Sequence, residues 1–155
     1  MTERSVEHAT FAVERTYDAS PARTFAAWAD PEAKARWFGG SGEATEFELD
    51  FRVGGREITS GGPEGGPVFA FEGHYQDIVP NERIVYSYDM HMDGTRISVS
   101  LATVEFKADG GGTRLIFTEQ GAFLDGLDTA DQRRQGTGTL LDTLGQELRR
   151  ESTNA

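Results

Sequence analysis

The stretch DTADQRRQGTGTLLDTLGQELRRE, residues 128–151, reads as one long helix with two unlike halves. Leu140, Leu141, Leu144 and Leu148 recur at i, i+1, i+4 and i+8, which sets them on one apolar face of a 3.6-residue helix. One turn earlier that face carries Gly136 and Thr137, with Arg133 beyond them, so the stripe turns from bulky and apolar to small and polar. The leucine half is built to close a hydrophobic core. The Gly-Thr half leaves space beneath it, and the pattern predicts that it roofs a cavity.

Upstream of this helix the chain reads as strand after strand. Residues 113–120 alternate, with Leu115, Phe117 and Glu119 on one side. Residues 95–107 form a strand of roughly 40 Å at about 3.3 Å per residue. On one face of it Ser98, Ser100 and Ala102 precede Val104 and Phe106, a second gradient from small to large. Asp93-Gly94 is a two-residue hairpin turn. Residues 83–91 carry Ile84, Tyr86, Tyr88 and Met90 on one face, and residues 68–79 carry Phe69, Phe71, Gly73 and Tyr75. The run from Gly61 to Pro67 between strands reads as a long mobile hairpin loop. Residues 43–51, with Phe47, Leu49 and Phe51 on one face, turn at Gly54-Gly55 into residues 56–60. At the front, residues 8–17 form a first strand. Two short helices follow, each opened by a cap and a proline, Ser20-Pro21 and Asp30-Pro31, and reaching Trp28 and Trp37. The order β-αα-β-β-β-β-β-β-α predicts an α+β fold in one domain over residues 1–155, a twisted antiparallel sheet of six to seven strands wrapped around the long helix.

Composition narrows the function. With 26 acidic and 15 basic residues the chain carries a formal charge of −11, which repels nucleic acid and anionic membrane surfaces. There are no cysteines, hence no disulfide, thiol nucleophile or thiolate metal site. No apolar run approaches the roughly 18 residues of a membrane span, and residues 1–8 lack an apolar leader core, so a soluble, cytoplasmic protein is expected. His8, His74 and His91 are too scattered to form a metal cluster, and no G-x-S-x-G elbow or phosphate loop is present. No metal and no cofactor are expected, and the state is monomer or homodimer.

Several segments resemble a known family. Asp50-Phe51-Arg52-Val53-Gly54-Gly55-Arg56, the run Asp77-Ile78-Val79-Pro80-Asn81-Glu82-Arg83-Ile84-Val85-Tyr86, and Gly111-Gly112-Thr113-Arg114-Leu115 through Thr118-Glu119-Gln120-Gly121-Ala122-Phe123 are similar to signature blocks of the SRPBCC (START-like) superfamily. Arg36-Trp37-Phe38-Gly39 and residues 136–144 match as well, and the resemblance is closest to the branch named after the activator of heat-shock-protein-90 ATPase. It implies a helix-grip fold, a curved sheet gripping the C-terminal helix around a hydrophobic cavity. Many relatives carry an aromatic residue directly after the glycine at Gly136. Thr137 and Gly138 stand there instead, which implies either an enlarged pocket or a kinked or broken helix. In the eukaryotic activator a separate N-terminal domain contributes strongly to the ATPase effect, so the resemblance implies no chaperone activation here.

The expected ligand contacts are Trp37, Phe38, Phe47, Phe69, Phe71, Tyr86, Tyr88, Phe117, Glu119, Gly136, Thr137 and Leu140. Trp37 and Phe38 fit either a core plug or the pocket mouth, and the tyrosines fit either core packing or oriented contacts in an apolar pocket. Glu119 has three readings: a general acid or base with a raised pKa, a polar contact to ligand, or a rim residue in water. The leading expectation is a non-catalytic module that binds a small hydrophobic or aromatic molecule. The alternatives are a cyclase/aromatase-like or hydrolase-like enzyme using Glu119, and a co-chaperone-like protein-interaction module whose cavity is packed shut.

Overall fold

The computed structural model of the chain describes residues 3–38 and 44–153. Its elements are β1 (Val6–Tyr17), α1 (Pro21–Ala29), α2 (Pro31–Phe38), β2 (Ala44–Leu49), β3 (Arg56–Gly61), β4 (Phe69–Val79), β5 (Arg83–Met92), β6 (Thr95–Asp109), β7 (Gly112–Leu124) and α3 (Ala130–Thr153). The strands form one antiparallel sheet in the order β1-β7-β6-β5-β4-β3-β2. This is the helix-grip fold, a curved sheet around a long C-terminal helix. No helix among the described residues is long and apolar enough to cross a membrane.

Local chemistry sets the boundaries. Ser20 caps α1, its hydroxyl accepting from Arg23 N at 3.2 Å, with Pro21 in the first turn. Asp93 and Gly94 take φ of 50° and 85°, the left-handed pair that a two-residue hairpin requires. The helix expected from residue 128 begins two residues later, because the Thr129 hydroxyl accepts from Gln132 N at 3.1 Å and acts as the cap. β7 runs on to Leu124, paired with β1 as far as Val6. The glycine break at residues 39–42 and the strand start at Glu43 lie outside the described residues.

Helix α3 continues through Gly136 and Gly138, so the two glycines do not break it. Gly138 answers a close approach instead. A Cβ there would stand 3.0 Å from Arg15 Nη2 on β1, and the Arg15 Nε donates to Asp142 Oδ1 at 2.7 Å, one turn along the same helix.

The C-terminal half of α3 closes a solid core. Leu141, Leu144 and Leu148 are buried with Trp28, Phe106 and Leu115, each such side chain contributing about 1.5–3 kcal/mol. Tyr17 on β1 donates its hydroxyl to Leu141 O at 2.7 Å, which pins helix to sheet. Trp28 and Trp37 meet edge to face at 4.8 Å, and the Trp37 Nε1 donates to Ala27 O at 2.9 Å, locking α2 onto α1.

One buried ion pair ties α2 to the sheet. Lys34 Nζ lies 2.8 Å from Glu57 Oε1 on β3, with both side chains almost wholly buried. Tyr75 also donates to this carboxylate. The ammonium sits 5.0 Å from the Trp28 ring and 4.3 Å from that of Phe38, so aromatic faces replace part of its lost hydration. Burial lowers the Lys34 pKa, and Glu57 opposes that shift.

Candidate ligand-binding site

Under the N-terminal half of α3 lies a cavity of about 680 Å³, walled by the concave face of the sheet. Trp37 and Phe38 enter it from α2, Phe69 and Phe71 from β4, and Tyr86, Tyr88, Met90 and Met92 from β5. Ile97 and Phe117 line its floor, and Arg133, Gly136, Thr137, Leu140 and Leu141 descend from α3. A smaller hollow of about 290 Å³ shares Phe38, Phe69, Phe71, Met90 and Leu140 with it and reaches Thr59 and the glycine loop at Gly61 to Pro63. That loop is tied at its base, where Asp93 Oδ1 accepts from Val68 N at 2.9 Å.

Strand register brings these side chains together. Glu57, Gly73, Tyr88, Ser100 and Gly121 are successive cross-strand partners, forming one row across the sheet. The glycines keep that row open. A Cβ on Gly73 would stand 2.9 Å from the Phe71 ring, which lies over it and meets Tyr88 at 4.7 Å between centroids.

Two of the expected contacts do not line the cavity. Phe47 sits on the edge strand β2 opposite Thr59, two strands farther from the cavity than the Phe71 that lines it. Glu119 is fully buried and is therefore no rim residue in water. Tyr88 and Arg133, both cavity-lining, bond to it and stand between it and the open space. As an acid or base it would act on a ligand only through them.

Around Glu119 a polar network is assembled from four elements. The carboxylate accepts from the Tyr88 hydroxyl at 2.9 and 2.8 Å, from Ser100 Oγ at 2.7 Å, and from Arg133 Nη1 at 3.0 Å. Arg133 Nη1 also donates to Tyr88 OH at 2.7 Å, while Nη2 donates to Ser98 Oγ at 2.7 Å and Asp128 Oδ2 at 2.6 Å. The guanidinium lies over the rings of Tyr88 and Phe123 at 5.5 and 5.4 Å. Burial alone would lower its pKa, but Tyr88, Glu119 and Asp128 outweigh that and the net shift is upward. Burial, then the Glu119 carboxylate, raises the Tyr88 hydroxyl well above its ordinary value, so it stays a neutral donor.

Sequence reasoning had placed Arg133 on the cavity face of the helix and Ser98 and Ser100 on the small half of β6. It did not bring them to Glu119, nor see Asp128 as the partner that ends the network. The signal was present in the excess of polar side chains at the small ends of both gradients.

Among the described residues no group of three or more His, Asp or Glu side chains is arranged to hold a metal ion. His74 is exposed on the outer face of β4.

Comparison with known proteins agrees with this fold. A solved structure of an uncharacterized protein from Rhizobium leguminosarum is 50% identical, with 96% of this chain and 99% of that one covered and a TM-score of 0.91. One from Rhizobium loti is 49% identical, covering 92% and 99%, with a TM-score of 0.86. An AHSA1-like protein from Aeromonas hydrophila, 23% identical over 93% of this chain and 94% of its own, shares the fold at a TM-score of 0.72. No curated protein matches the chain. Residues 18–149 match the family described as Activator of Hsp90 ATPase homolog 1-like protein, and over that extent the chain belongs to it.

Proposed function

We propose that this protein binds a small hydrophobic or aromatic molecule, without converting it, between the sheet and the N-terminal half of α3. One observation carries the reading: a cavity of about 680 Å³ lined mainly by aromatic and aliphatic side chains, with one polar cluster at its wall. That size and lining are those of small-molecule pockets. Thr137 supports it further, since this buried residue faces the cavity where a large side chain would fill it. The burial of Glu119 behind Tyr88 and Arg133 favours binding over acid-base catalysis.

The test is a fluorescence titration of N-phenyl-1-naphthylamine, a neutral apolar probe, into the native protein and Thr137→Trp. The native protein should bind saturably, and Thr137→Trp should bind at least ten-fold more weakly while its circular dichroism and melting temperature are retained. If neither folded protein binds, the reading fails. A protein-interaction module then takes its place.

A further inference from the structure

We propose that the cavity selects a ligand whose apolar skeleton carries a neutral oxygen acceptor, a ketone or ester carbonyl, and that it rejects a carboxylate at the same position. This rests on the ligand-binding reading above. The observation behind it is the unequal use of Arg133.

The four Nη hydrogens of Arg133 have four acceptors: Tyr88 OH, Glu119 Oε2, Ser98 Oγ and Asp128 Oδ2. Its Nε–H has none among the described residues. Among the described residues the buried side-chain atoms that are sealed without a partner are Trp28 Nε1, Glu57 Oε2 and Thr59 Oγ1, and Arg133 Nε is not one of them. It therefore keeps contact with open space in a side chain that lines the cavity. One donor of a nine-tenths buried guanidinium is left for a ligand.

Charge decides which acceptor it takes. Among the described residues Arg133 and Asp128 are the only charged side chains in the lining, and Glu119 lies directly behind them. Two carboxylates against one guanidinium sum to −1. An arginine so occupied is no free anion site, and a ligand carboxylate would add an uncompensated negative charge where water is scarce. A carbonyl oxygen accepts the Nε–H without adding charge. A plain hydrocarbon would cover that donor and leave it unpaired.

Three compounds of one skeleton separate these cases: 2-acetylnaphthalene, 2-naphthoate and 2-ethylnaphthalene, each competed against N-phenyl-1-naphthylamine. In the native protein the ketone should bind at least as tightly as the hydrocarbon, although water solvates the ketone better, and at least ten-fold tighter than the carboxylate. Because any apolar cavity disfavours a carboxylate, two variants carry the decision. Asp128→Asn keeps an acceptor for Arg133 and removes one negative charge, so the ketone-to-carboxylate ratio should fall at least five-fold. Arg133→Lys keeps the cation and removes the Nε–H, so the ketone should lose at least five-fold against the hydrocarbon. A ratio unmoved by Asp128→Asn, or a ketone affinity unmoved by Arg133→Lys, overturns the selectivity. If the hydrocarbon binds and the ketone binds more weakly than it, the selectivity alone falls. If neither the probe nor any of the three binds, the ligand-binding reading falls and the selectivity with it.

Discussion

A Cβ on Gly121 would stand 2.7 Å from the hydroxyl of Ser100, its partner across β6 and β7, and that hydroxyl donates to Glu119 at 2.7 Å. This glycine is needed for clearance rather than for an unusual backbone angle. Its missing side chain lets the serine hold the buried carboxylate, and lets the Phe123 ring lie 3.1 Å from the same point.

Gly121→Ala should therefore destabilise the protein by about 1–3 kcal/mol through overpacking. Ser100→Ala should cost about 1.5 kcal/mol, since it removes a hydrogen bond to a charged group. The double variant should cost less than the sum, because the alanine methyl then meets no hydroxyl. Urea unfolding of the four proteins gives the coupling directly. Additivity would mean that the close approach relaxes without cost.

The buried pair of Lys34 and Glu57 makes a sharper case. Lys34→Met leaves the Glu57 carboxylate enclosed without its cation and should cost about 3–5 kcal/mol. Lys34→Met with Glu57→Gln removes both charges and keeps an acceptor for Tyr75, which donates to Glu57 in the native protein. The double variant should recover most of the loss in urea unfolding. A double variant no more stable than Lys34→Met would show that the ion pair itself, and not the avoidance of a lone charge, holds α2 to β3.

The glycines of α3 should respond in opposite ways. A Cβ on Gly136 meets nothing within 4 Å, so Gly136→Ala should gain about 1 kcal/mol of helix propensity. In thermal unfolding that is roughly 3 °C for a chain of this size. Gly138→Ala would press on Arg15 Nη2, 3.0 Å away, and should gain less or lose. Equal gains would mean that Arg15 moves aside freely.

These positions also mark how far the sequence could be read. The succession of strands along the chain followed from period-two alternation broken by turn residues, and the cavity from two size gradients, one on α3 and one on β6. Both are local patterns. Glu119 was legible as an inward-facing carboxylate on β7, but its surroundings were not. They depend on Arg133 arriving from α3, Tyr88 from β5, and Asp128 from the linker before the helix. Phe47 misled for the same reason: its alternation gave the correct face of its strand, while its distance from the cavity depended on β2 being the edge of the sheet. Lys34 offered no local signal, because its partner Glu57 lies two elements away and a lysine in a short helix ordinarily faces water.

The dependence of stability on pH should carry the mark of one further ion pair. Glu147 on α3 is buried, and each of its oxygens accepts from Arg36 Nε on α2 at 3.0 Å, with Arg150 Nε at 3.4 Å. Burial alone would raise the pKa of this carboxyl; the two arginines outweigh it, and the net shift is downward. A folded-state value below the unfolded one, about 4.3 for a glutamate, means that the unfolded chain binds the proton more readily. The contribution is then fully present above that unfolded value and is lost as the pH falls through the depressed one. The native protein should lose stability between pH 5 and pH 3, and Glu147→Gln should lose less over the same interval, although it starts less stable at pH 7. Urea unfolding at each pH measures both. Parallel profiles would mean that Arg36 finds other partners when the carboxylate is removed. A shallower profile for Glu147→Gln would assign to this pair a share of the acid sensitivity of the α2–α3 contact, and with it of the roof over the cavity.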